Sequence, residues 1–243
     1  MTYEYETVHD IVNTSSVIHV TFPPSTDPDT DPFPAILPFI GVMASYKDQS
    51  ASLDSPLDLY IHGYVTSRLM KLGGSDTEEG FPISIAATKI DGIVLALTPN
   101  NHSLNYRSAI LQGYASPVTD MAEKIWSMEQ ITNNVLPKRY EHTRVPPDKT
   151  EMTSTQILKV RIVSASAKRR QGGPHDERKD LKRDDIREKV WVGVIPIHEH
   201  LGKPIPGDEN LVSQVPEHVT EFVARENEIR KEIALRAVDE PEK

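Results

Sequence analysis

Three polar clusters stand where strand-like segments of the sequence begin or end. The first, "HGYVTSRLMK", runs from His62 to Lys71 and places Ser67 and Arg68 where a short helix would begin. Free backbone N–H groups at a helix start, together with an arginine that can form bidentate hydrogen bonds, can bind an anion such as a phosphate. The same residues also fit an ordinary helix cap made by Thr66 or Ser67, with Arg68 in solvent.

The second cluster, "HSLNYRS", begins at His102 and opens another strand-like segment. Tyr106, Arg107 and Ser108 can offer two hydroxyl groups and a cation to a ligand, or they can simply form the polar face of a strand. His102, which stands next to Ser103, could support acid–base chemistry. A histidine in a loop is also commonly structural or merely exposed.

The third cluster, "SASAKRRQGG", places Lys168 and Arg170 where a strand gives way to a glycine-rich loop, and Trp191 follows further along. These side chains could approach a ligand, or they could be surface charge. The surrounding segment, residues 168–189, mixes charges of both signs, which is typical of a solvated loop and not of a tract that binds a phosphate backbone.

A metal site is a further alternative. His198 and His200 would lie on one face of a strand, and a third ligand from His62, His102 or Asp91 would make a zinc site. No acid-rich ligand set stands beside the pair, and "PIHEHLGKP" is typical of an exit loop, so we expect no metal. Phosphate-binding glycine loops and the GxSxG motif are absent from the sequence.

The composition excludes several classes of protein. A net charge of −9 argues against general binding to nucleic acid or anionic membranes. The absence of cysteine excludes disulfides, thiolate nucleophiles and cysteine-ligated metals. No run approaches the roughly 20 apolar residues of a membrane span, and the acidic N-terminus is unlike a signal peptide. We therefore expect a cytoplasmic protein without a membrane or nucleic-acid partner.

The periodicity of apolar residues predicts few helices and several strands. The predicted helices cover residues 5–15, 66–72, 120–135 and 216–238. The predicted strands cover residues 17–22, 35–44, 57–62, 82–90, 93–97, the segment after 102, 156–163 and 190–197. Asp91 and Gly92 form a strong two-residue hairpin signal between two of these strands. Short connections between strands indicate a mainly β (α+β) fold with an antiparallel barrel.

The sequence divides most simply into one large domain and a tail. Residues 1–215 would form the barrel domain, with a proline- and aspartate-rich loop at 23–34 and the charged loop at 168–189. Residues 216–243 would form an amphipathic helix and a tail. That helix could dock by its apolar stripe or could bind a partner.

The three clusters, together with "ISIAATKIDGIVLA" and "VWVGVIP", come in an order that resembles the pyridoxamine 5′-phosphate oxidase-related FMN-binding proteins, in particular the flavin-nucleotide-binding and nitroimidazole-resistance-like branch. The resemblance covers about residues 5–218. It implies a split antiparallel β-barrel with a few peripheral helices and a C-terminal helix. It also implies a homodimer that holds FMN at the subunit interface.

The same resemblance assigns roles at the first cluster. Ser67, Arg68 and Lys71 would hold the FMN phosphate, and His62 would lie at the edge of the flavin.

The flavin ring would lie against the remaining residues of the implied pocket. The residues assigned to the ring and to the pocket walls are Ile83, Ser84, Thr88, Tyr106, Arg107 and Ser108. Lys168, Arg170 and Trp191 would come from the second subunit.

The function implied is an FMN-dependent oxidoreductase acting on a small molecule, with His102, or alternatively Tyr106, as a proton donor. The tail "VARENEIRKEIALRAVDEPEK" lacks the C-terminal arginine–histidine motif of the vitamin B6 oxidases, so we do not expect that activity. Two alternatives stay open. One is a flavin-binding or partner-binding module without turnover. The other is a heme-binding split barrel with His62 or His102 as the axial ligand.

Overall fold

The computed structural model describes residues 2–24, 32–72 and 79–239, so most of the predicted 23–34 loop and the last four residues lie outside the described part. The chain forms two compact units. The first unit comprises Met1–Thr88 and Ser108–Ala167, and the second unit comprises Lys89–Arg107 and Lys168–Lys243. The predicted domain boundary between residues 215 and 216 stays a prediction.

The described residues form eight strands in one sheet. The strands are β1 (Ile18–Phe22), β2 (Ala35–Phe39), β3 (Gly41–Ala44), β4 (Asp58–Tyr64), β5 (Phe81–Leu95), β6 (Ser103–Pro117), β7 (Thr155–Arg170) and β8 (Gly193–Pro196). Their order is β2-β1-β5-β6-β7-β4-β3, and β8 pairs with β5. The pairs β1–β2, β1–β5, β3–β4, β4–β7 and β5–β8 are antiparallel. The expected mainly β, antiparallel split-barrel fold is confirmed, with a sheet that is not closed.

Six α-helices lie in the described part of the chain. They are α1 (Tyr5–Thr14), α2 (Arg68–Leu72), α3 (Met121–Val135), α4 (Lys149–Ser154), α5 (Asp184–Arg187) and α6 (Glu217–Arg236). The predicted helices at 5–15, 120–135 and 216–238 are confirmed, and the Asp120 side chain caps α3 by accepting the Glu123 N–H at 3.0 Å. None of these described helices has the length and apolar character needed to cross a membrane.

The predicted hairpin at Asp91 and Gly92 is wrong, because both residues lie inside the continuous strand β5. Gly92 does not adopt a left-handed backbone conformation, which the two-residue turn would require. A Cβ atom on Gly92 would lie 2.9 Å from Val194 Cγ1, so the glycine serves the close approach of β8. Arg107 donates hydrogen bonds to the Asp91 carboxylate, and these bonds compensate for burying the carboxylate within a strand.

The single buried strand predicted over residues 35–44 is also wrong. Ile40 separates β2 from β3, which lie at opposite ends of the strand order. The strand is interrupted because the chain changes its pairing partner at this point. Gly41 makes the change sterically feasible, since a Cβ there would lie 2.9 Å from side-chain atoms of both Ile18 and Ile61. As an edge strand β2 stays largely exposed, with Ile36 62% exposed.

Strand β4 has an apolar cluster on each of its faces, both within the first unit. Leu59 and Ile61 belong to the larger cluster, which also receives the apolar stripe of α1. Tyr60 belongs to the smaller cluster, against which Trp126 and other residues of α3 pack. Because side chains alternate along a strand, His62 shares the α3 face with Tyr60.

Candidate functional site

An open groove of about 410 Å³ lies on the first unit, between the ends of β1, β5, β6 and β7. Its lining mixes groups that can form hydrogen bonds with apolar surface. The lining residues that matter most are Thr21, Phe22, Pro23, Ile83, Ser84, Gln112, Gly113, Tyr114, Val163 and Ser164. The volume is within the range of small-molecule and cofactor sites, roughly 300–1,000 Å³.

The local sequence explains the shape of this groove. Ile83 and Ile85 are buried, so the half-buried Ser84 between them points away from the core. On β6, Gly113 lets β7 approach, because a Cβ there would lie 2.3 Å from the Arg161 carbonyl oxygen. The backbone at Gly113 is therefore part of the groove lining, together with polar and larger apolar side chains.

Arg68 lies at the rim of the groove. Its guanidinium carbon is 5.6 Å from the centroid of the Phe22 ring, and its Nη2 atom donates to the Pro23 carbonyl oxygen at 3.5 Å. Phe22 and Pro23 both line the groove. The arginine is exposed, so its positive charge faces a cavity that is partly apolar. This is an arrangement that attracts an anionic ligand group.

Ser67 carries the second signal at this rim. Its Oγ atom is buried, and no residue in the described part of the chain forms a hydrogen bond with it. A buried polar atom left in this way costs about 1–3 kcal/mol, so a partner supplied from outside the polypeptide, such as a ligand oxygen, would stabilise it. Lys71, one turn further along α2, is exposed and its backbone N–H donates to the Ser67 carbonyl at 3.0 Å.

The structure brings Ile83 and Ser84 into the groove lining and Arg68 against two of its lining residues, Phe22 and Pro23, but it places two other predicted residues elsewhere on the first unit. Thr88 is exposed and Ser108 is half-buried, and neither lines the groove. Sequence reasoning missed the polar residues contributed by β1 and by the later part of β6. These are Thr21, Gln112 and Tyr114. For Gln112 and Tyr114, the available signal is that they flank Gly113 in the more apolar second half of β6.

In the second unit, Arg107 forms a bidentate ion pair with Asp91. Its Nε and Nη2 atoms lie 2.8 and 2.9 Å from the two carboxylate oxygens. The side chains are only 11% and 6% exposed. The guanidinium therefore stabilises the β5–β6 region, and its assignment to a flavin stays a prediction.

Arg170 supports a turn within the same unit. It donates to the side-chain oxygen of Asn105, to the Gly172 carbonyl at 3.2 Å and to the Gly173 carbonyl at 2.9 Å. Asn105 is fully buried and donates to the Ala237 carbonyl at 2.8 Å. This network fixes the left-handed glycine turn, where Gly172 has φ +89°, to the end of α6. Asn105 stands in the "HSLNYRS" cluster, but local sequence does not show that it would be the centre of this network.

The remaining predicted residues of the second unit are more exposed. Lys168 Nζ lies 5.8 Å from the centroid of the Tyr106 ring, which is a cation–π contact. Trp191 is 66% exposed. His102 is also exposed, and its Nδ1–H donates to the Thr98 carbonyl at 3.0 Å in the tautomer that this contact requires. The assignment of these four side chains to a ligand stays a prediction.

A second cavity of the first unit, about 360 Å³, has His62 on its wall. The other lining residues are Met128, Ile131, Thr132, Tyr140, Thr143, Arg144, Val145, Pro147, Glu151 and Thr155. His62 is exposed as a whole residue, but the protein that packs around part of its imidazole lowers the pKa of the ring below the ordinary value by desolvation. The neutral ring, whose nitrogen lone pair can ligate a metal, is therefore favoured at neutral pH.

The donor set of this cavity fits a heme better than a bare metal ion. A single neutral imidazole is the usual proximal ligand of heme iron, and Met128, Ile131 and Val145 supply apolar wall. Arg144 is ion-paired with Glu151 at the cavity wall.

No group of three or more histidine, aspartate or glutamate side chains in residues 2–24, 32–72 and 79–239 is placed to hold a metal ion. The zinc alternative built on His198 and His200 therefore has no ligand set within those ranges.

A family model described as pyridoxamine 5′-phosphate oxidase matches residues 4–169 of the chain. Among solved structures, the chain is similar to the flavocytochrome Anf3 from Azotobacter vinelandii, with 26% identity, a TM-score of 0.71 and 91% coverage of each chain. It is also similar to the FAD and heme binding protein from Mycobacterium smegmatis, with 22% identity, a TM-score of 0.73, and coverage of 91% of this chain and 96% of that one. No curated protein matches the sequence.

Proposed function

The chain belongs to the pyridoxamine 5′-phosphate oxidase family, and from this premise we propose that it is a flavin-binding oxidoreductase whose flavin occupies the groove of the first unit. Membership of this family, which the ordered motifs predicted, is confirmed. One observation supports the assignment of this site to specific residues. Arg68 lies at the rim of the groove, beside a Ser67 hydroxyl that is buried without a hydrogen-bond partner among the described residues.

The flavin phosphate would be bound by Arg68 and Ser67, with Lys71 adding positive charge. Ile83 and Ser84 would lie against the ring. A bound flavin supplies hydride or electron transfer, and the protein supplies orientation and a shaped, partly dry site. FMN is the nucleotide that we propose, in keeping with the resemblance of the motifs. FAD, which the mycobacterial protein is described as binding, is the alternative.

A second copy of the chain would complete the site. The groove is open, and apolar side chains of the first unit stand largely exposed, with Phe33 75%, Tyr64 62% and Val163 60% exposed. Val163 itself lines the groove, so a partner that covers it would also cover the ligand. Sedimentation velocity on the purified protein tests this proposal. A monomer at micromolar concentration would contradict it.

The experiment that tests flavin binding is an absorption spectrum of the purified protein, followed by mass spectrometry of the released cofactor. The spectrum reports flavin directly, and the mass distinguishes FMN from FAD. For protein stripped of cofactor, ligand at 100 times its Kd should raise the free energy of unfolding by about 2.7 kcal/mol. A colourless protein that neither nucleotide stabilises against heat would exclude the flavin.

Turnover needs a separate experiment. We expect NAD(P)H to reduce the bound flavin and a small acceptor to reoxidise it. Stopped-flow absorbance measures both half-reactions. A flavin that is bound but not reduced would favour the alternative, a flavin-binding module without turnover.

Heme binding at the His62 cavity is the second candidate function. It is favoured by the neutral imidazole on an apolar cavity wall and by the similarity to a flavocytochrome, a protein that carries both flavin and heme. His62→Ala should abolish heme absorption after reconstitution, whereas His102→Ala should leave it unchanged. The opposite pattern would transfer the axial role to His102, and heme binding by neither wild type nor variant would exclude the candidate.

A further inference from the structure

Three aromatic side chains of the first unit are in contact in a row. The ring centroids of Tyr60 and Trp126 are 5.3 Å apart, with planes at 79°, and those of Trp126 and Tyr46 are also 5.3 Å apart, with planes at 56°. Such spacings are typical of packed aromatic pairs. Because the chain has no cysteine, tyrosine and tryptophan are the side chains that lose a single electron most easily.

Each tyrosine of this row has a carboxylate nearby. The Tyr60 hydroxyl donates to Glu123 Oε1 at 2.8 Å, and Lys159 donates to the same oxygen at 2.8 Å. The Asp120 carboxylate lies close enough to Tyr46 to raise the pKa of its phenol. Burial, followed by the nearby carboxylates, raises the pKa of both phenols, so both hydroxyls keep their protons at neutral pH.

The row begins behind the His62 cavity and leads outward. Tyr60 and His62 lie on the same face of β4, about 7 Å apart along the strand. Ile131 packs in the same apolar cluster as Tyr60 and also lines the cavity. Tyr60 is 1% exposed, whereas Tyr46 is half-buried and is followed by the exposed Lys47.

We propose that Tyr60, Trp126 and Tyr46 form a one-electron relay that carries an oxidising equivalent from the His62 cavity to the surface, with Glu123 and Asp120 accepting the phenolic protons. The oxidant in the protein would be an oxidised metal complex in that cavity, so this inference rests on the proposed heme site for its natural oxidant. The relay would protect the cavity from oxidation, because the radical would move to Tyr46, a side chain that a soluble reductant can reach.

The steps balance in electrons and protons. Tyr60 gives one electron to the oxidant, which is reduced, and its hydroxyl proton moves to the Glu123 carboxylate. Trp126 then gives an electron to the Tyr60 radical, which takes its proton back from Glu123. Tyr46 gives an electron to the oxidised Trp126, and its proton moves to Asp120. A soluble one-electron reductant returns an electron to the Tyr46 radical, and Asp120 returns the proton.

The relay can be tested without heme. Thr143 is exposed and lines the His62 cavity, and the chain contains no cysteine, so Thr143→Cys gives a unique position for a tethered ruthenium polypyridyl complex. A light flash with an external electron acceptor converts this complex into a one-electron oxidant. Transient absorption follows the recovery of the ruthenium, and freeze-quench electron paramagnetic resonance identifies the radical formed.

We expect a tyrosyl radical in the labelled protein. Tyr46→Phe, which removes only a hydroxyl, should abolish that signal and leave a tryptophan radical in its place. Trp126→Phe should abolish the Tyr46 signal and slow the ruthenium recovery. Trp191→Phe, at the only other tryptophan of the chain, is the matched control and should change neither.

The cavity contains a competing tyrosine, Tyr140. A tyrosyl signal that survives Trp126→Phe and Tyr46→Phe but is lost in Tyr140→Phe would overturn the relay and leave the aromatic row as plain core packing. Because the ruthenium complex supplies the oxidant, these outcomes do not depend on heme binding. A working relay in a protein that binds no heme would keep the aromatic electron path but would overturn the natural oxidant proposed for it.

Discussion

Arg107 and Arg68 carry the same side chain, but one is largely buried and ion-paired whereas the other is exposed. Arg107, in the second unit, is 11% exposed and forms two hydrogen bonds with the 6% exposed Asp91. Arg68, on α2 in the first unit, is exposed and lies over the Phe22 ring at the rim of a groove. The surrounding residues, and not the arginine, decide whether the cation stabilises the fold or faces a ligand.

The difference has an energetic basis. A guanidinium can enter the interior only with a partner that compensates for lost hydration, and Asp91 provides this geometry on the neighbouring strand. At the groove, water still solvates Arg68, so a phosphate can replace some of that water at moderate cost. Substitutions at the two regions should therefore change different measured quantities, namely stability in one and ligand affinity in the other.

The largest effect is expected at the buried pair. Asp91→Ala leaves the Arg107 guanidinium buried without its carboxylate, and removal of one partner from such a pair costs about 3–5 kcal/mol. The free energy of unfolding, measured by urea denaturation, should fall by that amount.

The control for this prediction is the double variant Asp91→Leu with Arg107→Met. It removes both charges together and should recover most of the stability, since apolar replacements of a buried pair are often neutral or better. If the double variant is no more stable than Asp91→Ala, the loss would come from packing and not from an uncompensated charge.

A smaller effect is expected at the groove, and it concerns binding. Arg68→Ala removes a charge-assisted contact to the flavin phosphate, which contributes about 1.5–3 kcal/mol to the free energy of binding. Calorimetric titration of stripped protein with FMN measures it. The exposed Arg178→Ala is the control.

The stability of Arg68→Ala should stay within about 0.5 kcal/mol of wild type, as is usual for exposed positions. An affinity for FMN equal to that of the Arg178 variant would remove Arg68 from the phosphate site.

These two arginines also show how much of the structure could be predicted from the sequence. The strand pattern and the order of the motifs were enough for the fold, because both depend on local spacing. Whether Arg107 is largely buried depends on its ion pair with Asp91. In the sequence, "DG" between two apolar runs is a stronger local signal for a turn than for a buried ion pair. Pairing across strands is invisible to local pattern, and the same holds for Asn105, whose partners lie at Gly172 and Ala237.

The groove was predicted in part for the same reason. Arg68, Ile83 and Ser84 belong to motifs with regular local spacing, whereas Gln112 and Tyr114 meet them only when β6 pairs in the sheet. The His62 cavity is a harder case still. Its walls come from β4, α3 and the segment from Tyr140 to Thr155, and the sequence gives no common pattern for them.

The smallest effect is expected at the imidazole of His62, whose charged form is disfavoured by the surrounding protein. Desolvation lowers the pKa of His62 in the folded chain below its value in the unfolded chain. The unfolded value is about 6.5. Between those two pKa values the unfolded chain binds more protons than the folded chain, so stability rises with pH and is lost as pH falls below about 6.5. His62→Gln removes this proton uptake. The variant should lose less stability than wild type between about pH 7.5 and about pH 5.5.

Urea midpoints at the two pH values measure this difference, and His175→Gln, at an exposed histidine, is the matched control. Wild type and both variants share His9, whose pKa burial also lowers, so that contribution cancels in the comparison. Equal pH dependence in His62→Gln and His175→Gln would mean that the His62 ring is fully hydrated. That outcome would remove the lowered pKa, which is one of the observations that favour the heme candidate, so this measurement, the smallest in energy, tests the cavity without any cofactor present.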